Sequence, residues 1–423
     1  MTTSTGETGA PGPTALVRAA VEALDQQFFE PLTVAALYQD AWDGATAALT
    51  HAGVSPVPPP PTYPADPDTA AAVHASAFPA LERLAAGRLG PDDLLAATLR
   101  ELLARRRDGH TFLSTSRMQQ PPPAGPRGDL GLVLADTPPL RVADALPGGP
   151  AQRAGLRRGQ EVLAINGHPC ADLRRSEAMA LLDRRAGAPN RLTVRDQDGR
   201  TRVVEARGAP APRISTTLLP GPVGLLRIDG FAATDEETAE LRAALESFER
   251  AGARGWIVDV RWCGGGFSIP LSRLLVDRGR LFSRQRHNEV HLPGGRVLAA
   301  RQDIDAAGTA LPFQRPLAVL IGPGSISGAE SFAGPMRALG RATLVGERTA
   351  GLCGLARARD LAPGWRITLA THETVFGPEE WRLNRIGVPP DVAVTPSPDD
   401  EAAGRDPQLA AALDLLRRQE APA

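Results

Sequence analysis

Apolar positions recur every three to four residues from Thr14 to Phe28 and again from Leu32 to Leu49, with a break near Glu30-Pro31. That period predicts two amphipathic helices. Two more are expected over Asp68 to Ala86 and Pro91 to Arg107. The second opens Gly-Pro-Asp-Asp, with proline and acids in its first turn, where helix starts favour them. At Asp108-Gly109-His110-Thr111-Phe112-Leu113 a helix ends at glycine and an extended segment begins. From Gly128 the texture changes to short apolar runs and glycine turns. Strands are expected at Leu130 to Leu134 and Leu140 to Val142, and a helix at Ser176 to Arg185. Leu192 to Arg195 pairs with Thr201 to Val204 across the Asp198-Gly199 turn. From Arg213 the pattern is α/β. Strand Val223 to Ile228, helix Thr234 to Arg250 and strand Trp256 to Val260 make a βαβ unit. A helix near Ile269 to Val276 comes next. The apolar run Leu317 to Ile321 reads as a buried parallel strand, followed by helix Ala329 to Leu339 and strands Ala342 to Val345 and Trp365 to Thr371. Gln408 to Arg418 is a last amphipathic helix.

Proline-rich stretches divide this pattern. Val57 to Pro67 is a stiff connector, and Gln119 to Arg127 marks a domain boundary. The expected organisation is a disordered tail over 1–13, an N-terminal helical domain over 14–118 and a strand-rich domain over 127–207. An α/β domain over 213–397 and a C-terminal helix over 407–420 complete it. At 423 residues and a formal net charge of -1, the chain supports several cores and offers no basic field for nucleic acid or an anionic membrane. No apolar segment reaches bilayer length, and Met1 to Pro13 lacks the basic cluster and apolar core of a signal peptide. The three cysteines are scattered, without a disulfide or zinc pattern. A cytoplasmic protein needing no metal or cofactor is the expectation.

The chemistry centres on Gly324-Ser325-Ile326-Ser327-Gly328-Ala329-Glu330-Ser331. A serine at a strand-to-helix turn sits where unpaired N–H groups and the helix dipole favour a negative oxygen, which suits a nucleophile. Serine is also a preferred N-cap, and taken alone the stretch favours capping over catalysis. Earlier in the chain, Asp259-Val260-Arg261-Trp262-Cys263-Gly264-Gly265-Gly266-Phe267 places three glycines after a buried strand. It lacks the Lys-Ser/Thr of a P-loop and the GxGxxG of a dinucleotide fold, and fits an oxyanion hole. All 47 basic residues are arginine. Arginine stays protonated and cannot act as an ordinary general base, so an activated serine here needs histidine or a carboxylate.

Gly149 to Gly167, Gly-Pro-Ala-Gln-Arg-Ala-Gly-Leu leading to Val-Leu-Ala-Ile-Asn-Gly, resembles a PDZ domain. The resemblance implies a groove in which a peptide adds as a strand. It also matches Asp129, Leu130, Gly131 and Leu132 to the loop whose N–H groups hold a peptide carboxylate. Four further motifs resemble the tail-specific, or C-terminal processing, serine proteases and their tricorn-type relatives. They are Asp259 to Gly266, Ser327 to Ser331, Gly340 to Gly351 and Gly387 to Val392. The resemblance implies a crotonase- or ClpP-like spiral core with an N-terminal helical segment and an inserted, β-sandwich-like PDZ domain. It puts Ser327 at the nucleophile position, with Gly328 and Gly265, or its neighbour Gly264, supplying oxyanion N–H groups.

The tail-specific branch pairs its serine with a lysine, and the matching position here is Leu352, with Ala356 in place of a following glutamine. A lysine-free chain excludes that mechanism. The tricorn-type branch takes a histidine from the segment before the PDZ, which implies His110, with Gly109 where tricorn has a serine; His372 is the alternative. Asn384 occupies the place of that branch's orienting glutamate, with Glu379 or Glu380 as substitutes, and Cys263 replaces an asparagine in the glycine turn. The expected activity is serine-type hydrolysis of peptide bonds in C-terminal regions of proteins or peptides, with the PDZ capturing substrate. The alternatives are a catalytically silent PDZ scaffold and a crotonase-type acyl enzyme. Pro335 predicts a kink in the helix after Ser327.

Overall fold

The computed structural model describes residues 11–115, 128–135, 139–171, 173–210, 213–277, 280–286, 291–292, 296–297, 301–306, 313–377, 380–403 and 405–420. Residues 1–10 of the tail expected over 1–13, the linker at 119–127 and Glu379 lie outside them, while Pro13 already belongs to a helix. The chain divides into two units, the first comprising residues 1–120, 286–300 and 355–373, and the second 121–285, 301–354 and 374–423.

In the first unit, four helices form where the 3.6-residue period predicts them: α1 (Pro13–Gln27), α2 (Val34–His51), α3 (Pro67–Ala85) and α4 (Pro91–Ala104). Proline opens α1, α3 and α4, where its missing N–H costs nothing, and the Asp66 carboxylate caps α3 at the Thr69 N–H. Leu24, Leu37, Leu99 and Leu102 fuse the helices into one core, which also takes Leu113 from β1 (Phe112–Thr115). β1 pairs antiparallel with Trp365 to Thr368. His74 on α3 is buried among Tyr38, Tyr63, Trp42 and Phe78, with the Tyr63 hydroxyl 3.0 Å from Nδ1. Burial pushes its pKa down to about 4.

The second unit holds a β-rich module and an α/β layer. The module contains β2 (Leu132–Leu134) paired with β3 (Val142–Ala145), then β4 (Glu161–Ile165), α5 (Arg175–Ala180), β5 (Pro189–Arg195) and β6 (Thr201–Arg207). β5 and β6 pair in register from Pro189–Arg207 to Arg195–Thr201. Leu134, Val142, Leu156, Val162, Leu192 and Val194 fill its core. Two expectations change here. The strand foreseen at Leu130 to Leu134 begins only at Leu132, because Gly131 takes φ 61° and turns the chain. The helix foreseen to Arg185 ends at Ala180. Beyond it, the Asn166 amide donates to the Leu181 carbonyl, and Asn190 Oδ1 accepts the Asp183 N–H.

The α/β layer is one six-stranded sheet. Its strands lie in the order β7 (Ile214–Leu219), β8 (Val223–Ile228), β9 (Gly255–Asp259), β10 (Leu317–Ile321), β11 (Thr343–Gly346) and β12 (Val392–Ala393). Only the edge pair β7–β8 is antiparallel; the other four pairings are parallel. Side chains alternate along the strands as the two-residue period requires. Trp256, Val258, Val319 and Ile321 face α6 (Asp235–Arg250), α7 (Ile269–Leu275) and α8 (Gly328–Ala338). Ile257, Ala318, Leu320 and Val345 face Ala412 and Leu416 of α9 (Pro407–Glu420). This arrangement corrects the expected crotonase- or ClpP-like spiral. The parallel strands hydrogen-bond side by side in a single mixed sheet covered on both faces, so no repeated turns stack along an axis. Pro335 sits inside α8 without ending it.

Candidate active site

Because β9 and β10 are adjacent and parallel, the turns that leave their C-terminal ends emerge on the same edge of the sheet. In open α/β sheets that edge is where ligands bind. The first turn is the glycine run at 264–266, and the second carries Ser327.

Ser327 is the N-cap of α8 at φ 54°, ψ -105°. A non-glycine residue at positive φ is strained, and such strain clusters at functional sites. Its hydroxyl makes no cap hydrogen bond. It faces the Glu330 N–H in a capping-box arrangement whose only full hydrogen bond runs from the Ser327 N–H to Glu330. Gly265, at φ 110°, packs directly on it: a Cβ at that position would lie 3.0 Å from Ser327 Cβ and 3.5 Å from Oγ. A Cβ on Gly328 would run into the Gly266 carbonyl, so only glycine lets the two turns approach this closely.

The donors facing this point can be followed one by one. The Gly264 N–H donates to the Asp229 carbonyl at 3.1 Å, which removes it as an oxyanion donor. Among the described residues, the N–H groups of Gly265 and Gly328 have no intramolecular acceptor. Backbone contacts hold the glycine turn: the Phe231 N–H donates to the Gly265 carbonyl at 2.9 Å and the Ile326 N–H to the Cys263 carbonyl at 3.1 Å. Phe231 is fixed in turn by the buried Glu237 carboxylate, which accepts from the Ala232 and Ala233 N–H groups at 2.7–2.9 Å. Cys263, in place of the expected asparagine, is buried; burial pushes its thiol up to about 12, so it stays protonated.

Glu330 is the hub beneath the serine. It is fully buried, and its carboxylate accepts four hydrogen bonds. Oε1 takes the Thr349 hydroxyl at 2.5 Å and the Gly351 N–H at 2.7 Å, while Oε2 takes the Leu352 N–H at 2.7 Å and the Ser327 N–H at 3.1 Å. Burial pushes its pKa above the ordinary glutamate value, and the hydrogen bonds from Thr349, Gly351, Leu352 and Ser327 oppose that shift. A carboxylate with both oxygens filled is an anchor and not a free base. Thr349 Oγ1 also accepts the Val388 N–H at 2.7 Å, so two sequence motifs close around one side chain. Leu352, at the position of the tail-specific lysine, is buried and contributes its N–H to this hub. Sequence reading missed this role of Glu330, although the Ser-x-x-Glu spacing of a capping box was there to point to it.

Ser325 is also buried, but its hydroxyl donates to the Val260 carbonyl at 2.8 Å and accepts the Gly322 N–H at 3.1 Å, so it is structural. Asp259 and Arg261 of the glycine turn form a buried network. Arg261 bonds both Asp259 oxygens at 2.9–3.0 Å and both Asp406 oxygens at 2.7–2.8 Å. Asp406 in turn accepts the Leu409 N–H at the start of α9. Asn384 is buried in the segment whose Arg385 N–H donates to the Gly351 carbonyl at 2.6 Å. Glu380 is ion-paired with Arg284.

The β-rich module reaches this edge too. A Cβ on Gly324 would lie 2.6 Å from Val133 Cγ2, and Arg158 bridges Asp144 at 3.1 Å to Glu347 at 2.9 Å. The candidate bases His110 and His372 both belong to the first unit. There the His110 N–H donates to Asp108 Oδ1 at 2.8 Å, and His372 Nδ1 lies 2.9 Å from the Thr371 hydroxyl.

Comparison with known proteins agrees with this architecture. The model of peptidase family S41 matches residues 222–394, and a PDZ domain model matches residues 141–196. A carboxyl-terminal-processing protease of Picosynechococcus is 29% identical over 349 residues, 76% of this chain and 78% of that protein. The carboxy-terminal processing protease CtpA of Bacillus subtilis is 24% identical, over 60% of this chain and 53% of its own length. The solved photosystem II D1 C-terminal processing protease shares the fold, with a TM-score of 0.59 at 21% identity, covering 92% of this chain and 94% of that one. These matches bear out the expectation of a serine-type C-terminal processing peptidase with a PDZ domain, acting on protein or peptide.

They correct two attributions. The core is a mixed α/β peptidase fold of the S41 kind and not a crotonase- or ClpP-like spiral. The relatives are carboxyl-terminal-processing proteases, so the expected place in the tricorn-type Ser–His branch falls. Among the described residues, no helix is long and apolar enough to cross a membrane.

Proposed function

We propose that Ser327 is the nucleophile of a peptidase that cleaves C-terminal regions of protein or peptide substrates, delivered by the module at 127–207. The observation that carries this is the strained Ser327, set against Gly265 with the N–H groups of Gly265 and Gly328 open. Ser327 Oγ attacks the substrate carbonyl, and those two N–H groups hold the oxyanion of the tetrahedral intermediate. The base takes the serine proton and returns it to the leaving amine, after which water hydrolyses the acyl-enzyme. His110 is the base in this proposal and Asn384 its orienting group. The support is elimination: the chain has no lysine, Leu352 replaces the lysine of the tail-specific pair, and Glu330 is filled by four donors. The loop Asp129 to Leu132 is the proposed peptide-binding element. Domain boundaries at 14–118, 127–207, 213–397 and 407–420 belong to the proposal. So does a cytoplasmic setting, supported by three free, buried cysteines and checked by cell fractionation.

Fluorophosphonate labelling tests the nucleophile. Ser327→Ala should abolish labelling and hydrolysis and leave the fold intact, while Ser331→Ala should keep both. Ser325→Ala should lose stability and retain labelling. Undiminished hydrolysis in Ser327→Ala would end this reading.

A further inference from the structure

A PDZ loop that selects free C-termini has to present unused N–H groups to the incoming carboxylate. In this chain one is already taken: the Gly131 N–H donates to Asp129 Oδ1 at 2.6 Å. Gly131 stands at φ 61°, so its backbone direction is fixed by a conformation that few other residues adopt. The flanking carbonyls are fixed too, since Gly131 accepts the Leu146 N–H at 2.8 Å and Leu130 the Ala151 N–H at 2.9 Å. The loop is therefore held from both sides with the Asp129 carboxylate on it. The hollow beside it, lined by Leu130, Leu132, Met179 and Leu182 with Asp129, Asp183 and Arg184 at its rim, has a volume of about 10 Å³, room for no more than one water. A second carboxylate enters the rim from Asp183, which Arg185 holds through its Nε and backbone N–H at 3.0–3.1 Å.

We infer that Asp129 stands in for the terminal carboxylate of a ligand, so that the module takes extended apolar peptide segments without requiring a free C-terminus. The inference rests on the reading of residues 127–207 as the substrate-capturing module and names the substrate class that module selects. A peptide carboxylate can reach the Gly131 N–H only by displacing a like charge that is covalently positioned there. An internal segment, or an amidated end, meets no such competitor. It adds along β2, whose partner on the other side is β3. Cleavage by the attached peptidase would then be directed by sequence near the C-terminal region and not by the terminus itself.

The test is calorimetry on the full chain carrying Ser327→Ala, with an apolar decapeptide ending in Val-Ala-Leu as free acid and as amide. In this otherwise unaltered chain the two should bind within about threefold of each other. Adding Asp129→Ala should raise affinity for the acid relative to the amide by about tenfold or more, roughly 1.4 kcal/mol. Asp129→Asn keeps an acceptor for the Gly131 N–H without the charge, so it should give a smaller gain for the acid and guards against misfolding of the alanine variant. A preference of about tenfold or more for the acid with Asp129 in place overturns the inference and leaves the peptide-binding reading standing. Binding of neither peptide by any of these proteins overturns both.

Discussion

Replacing Glu330 with glutamine changes one atom and the charge of a group that touches four donors. The amide oxygen can still accept two hydrogen bonds, but the NH₂ end must face the other two donors. Its least costly orientation points the NH₂ at Thr349, whose hydroxyl can turn to accept it while still accepting the Val388 N–H. The Gly351 N–H is then left without a partner in a fully buried site. An orphaned buried donor costs about 1–3 kcal/mol, and losing charge assistance weakens the surviving bonds further, so a total near 2–4 kcal/mol is expected. That is a large share of a typical folding stability of about 5–15 kcal/mol, yet it should leave the protein folded. The catalytic consequence follows from the same bonds. Ser327 keeps its unusual φ because Glu330 holds its N–H while Gly265 packs on its side chain. Loosening that anchor should slow fluorophosphonate labelling by about tenfold to a hundredfold, the scale of a small misplacement of a reacting group. Thermal denaturation and labelling kinetics, run beside Ser327→Ala, check both halves: Ser327→Ala should lose labelling without losing stability, whereas Glu330→Gln should lose part of each. A Glu330→Gln protein that melts and labels like the parent would refute the anchoring argument. One that melts early but labels at the parent rate would refute the link to the nucleophile.

Two further predictions concern histidines. With His110 as base, kcat/KM should rise with pH through a single ionisation near about 6–7, because only neutral imidazole accepts the serine proton. His110→Ala should lose about a hundredfold to ten-thousandfold, and His372→Ala little; the reverse pattern would transfer the role to His372. In the first unit, burial holds His74 near a pKa of about 4, below its ordinary value of 6.5. A group depressed on folding contributes stability that is fully present above about 6.5 and is lost as pH falls towards 4. Near 1.36 kcal/mol per pKa unit the loss approaches about 3 kcal/mol, and His74→Phe should flatten the acid limb of the denaturation curve. An unchanged acid limb would show that His74 is not what titrates there.

Much of the secondary structure was legible because its physical causes are local. The run Leu317 to Ile321 is a strand with the bounds its apolar pattern gave, and the four N-terminal helices follow their period and their prolines. What the sequence hid depends on distant partners. The strand foreseen at Leu130 was shortened by a glycine dihedral, and the helix foreseen to Arg185 by amide contacts from Asn166 and Asn190. At the site, pattern reading reached Ser327, Gly265 and Gly328 as residue types. It could not decide between Gly264 and Gly265 as donors, because that choice rests on the Asp229 carbonyl, thirty-five positions upstream of Gly264.

Two departures from the tail-specific pattern have different structural weight once their surroundings are known. Cys263 is absorbed: backbone bonds from Phe231, Gly264 and Ile326 hold the glycine turn, so that turn keeps its shape without an asparagine side chain. Leu352 is also absorbed, since the hub beneath the serine uses its backbone N–H, which any residue except proline supplies. A leucine side chain, however, supplies no amine in the lysine's place. Of the seven histidines, only His168 belongs to the second unit, and it lies on the exposed strand His168–Pro169 of the PDZ module. The frame that strains the serine and opens two N–H groups is thus complete within the second unit. His110, the base under the proposal above, belongs to the first unit, so the pH profile of His110→Ala tests that proposal more directly than any further substitution around Ser327.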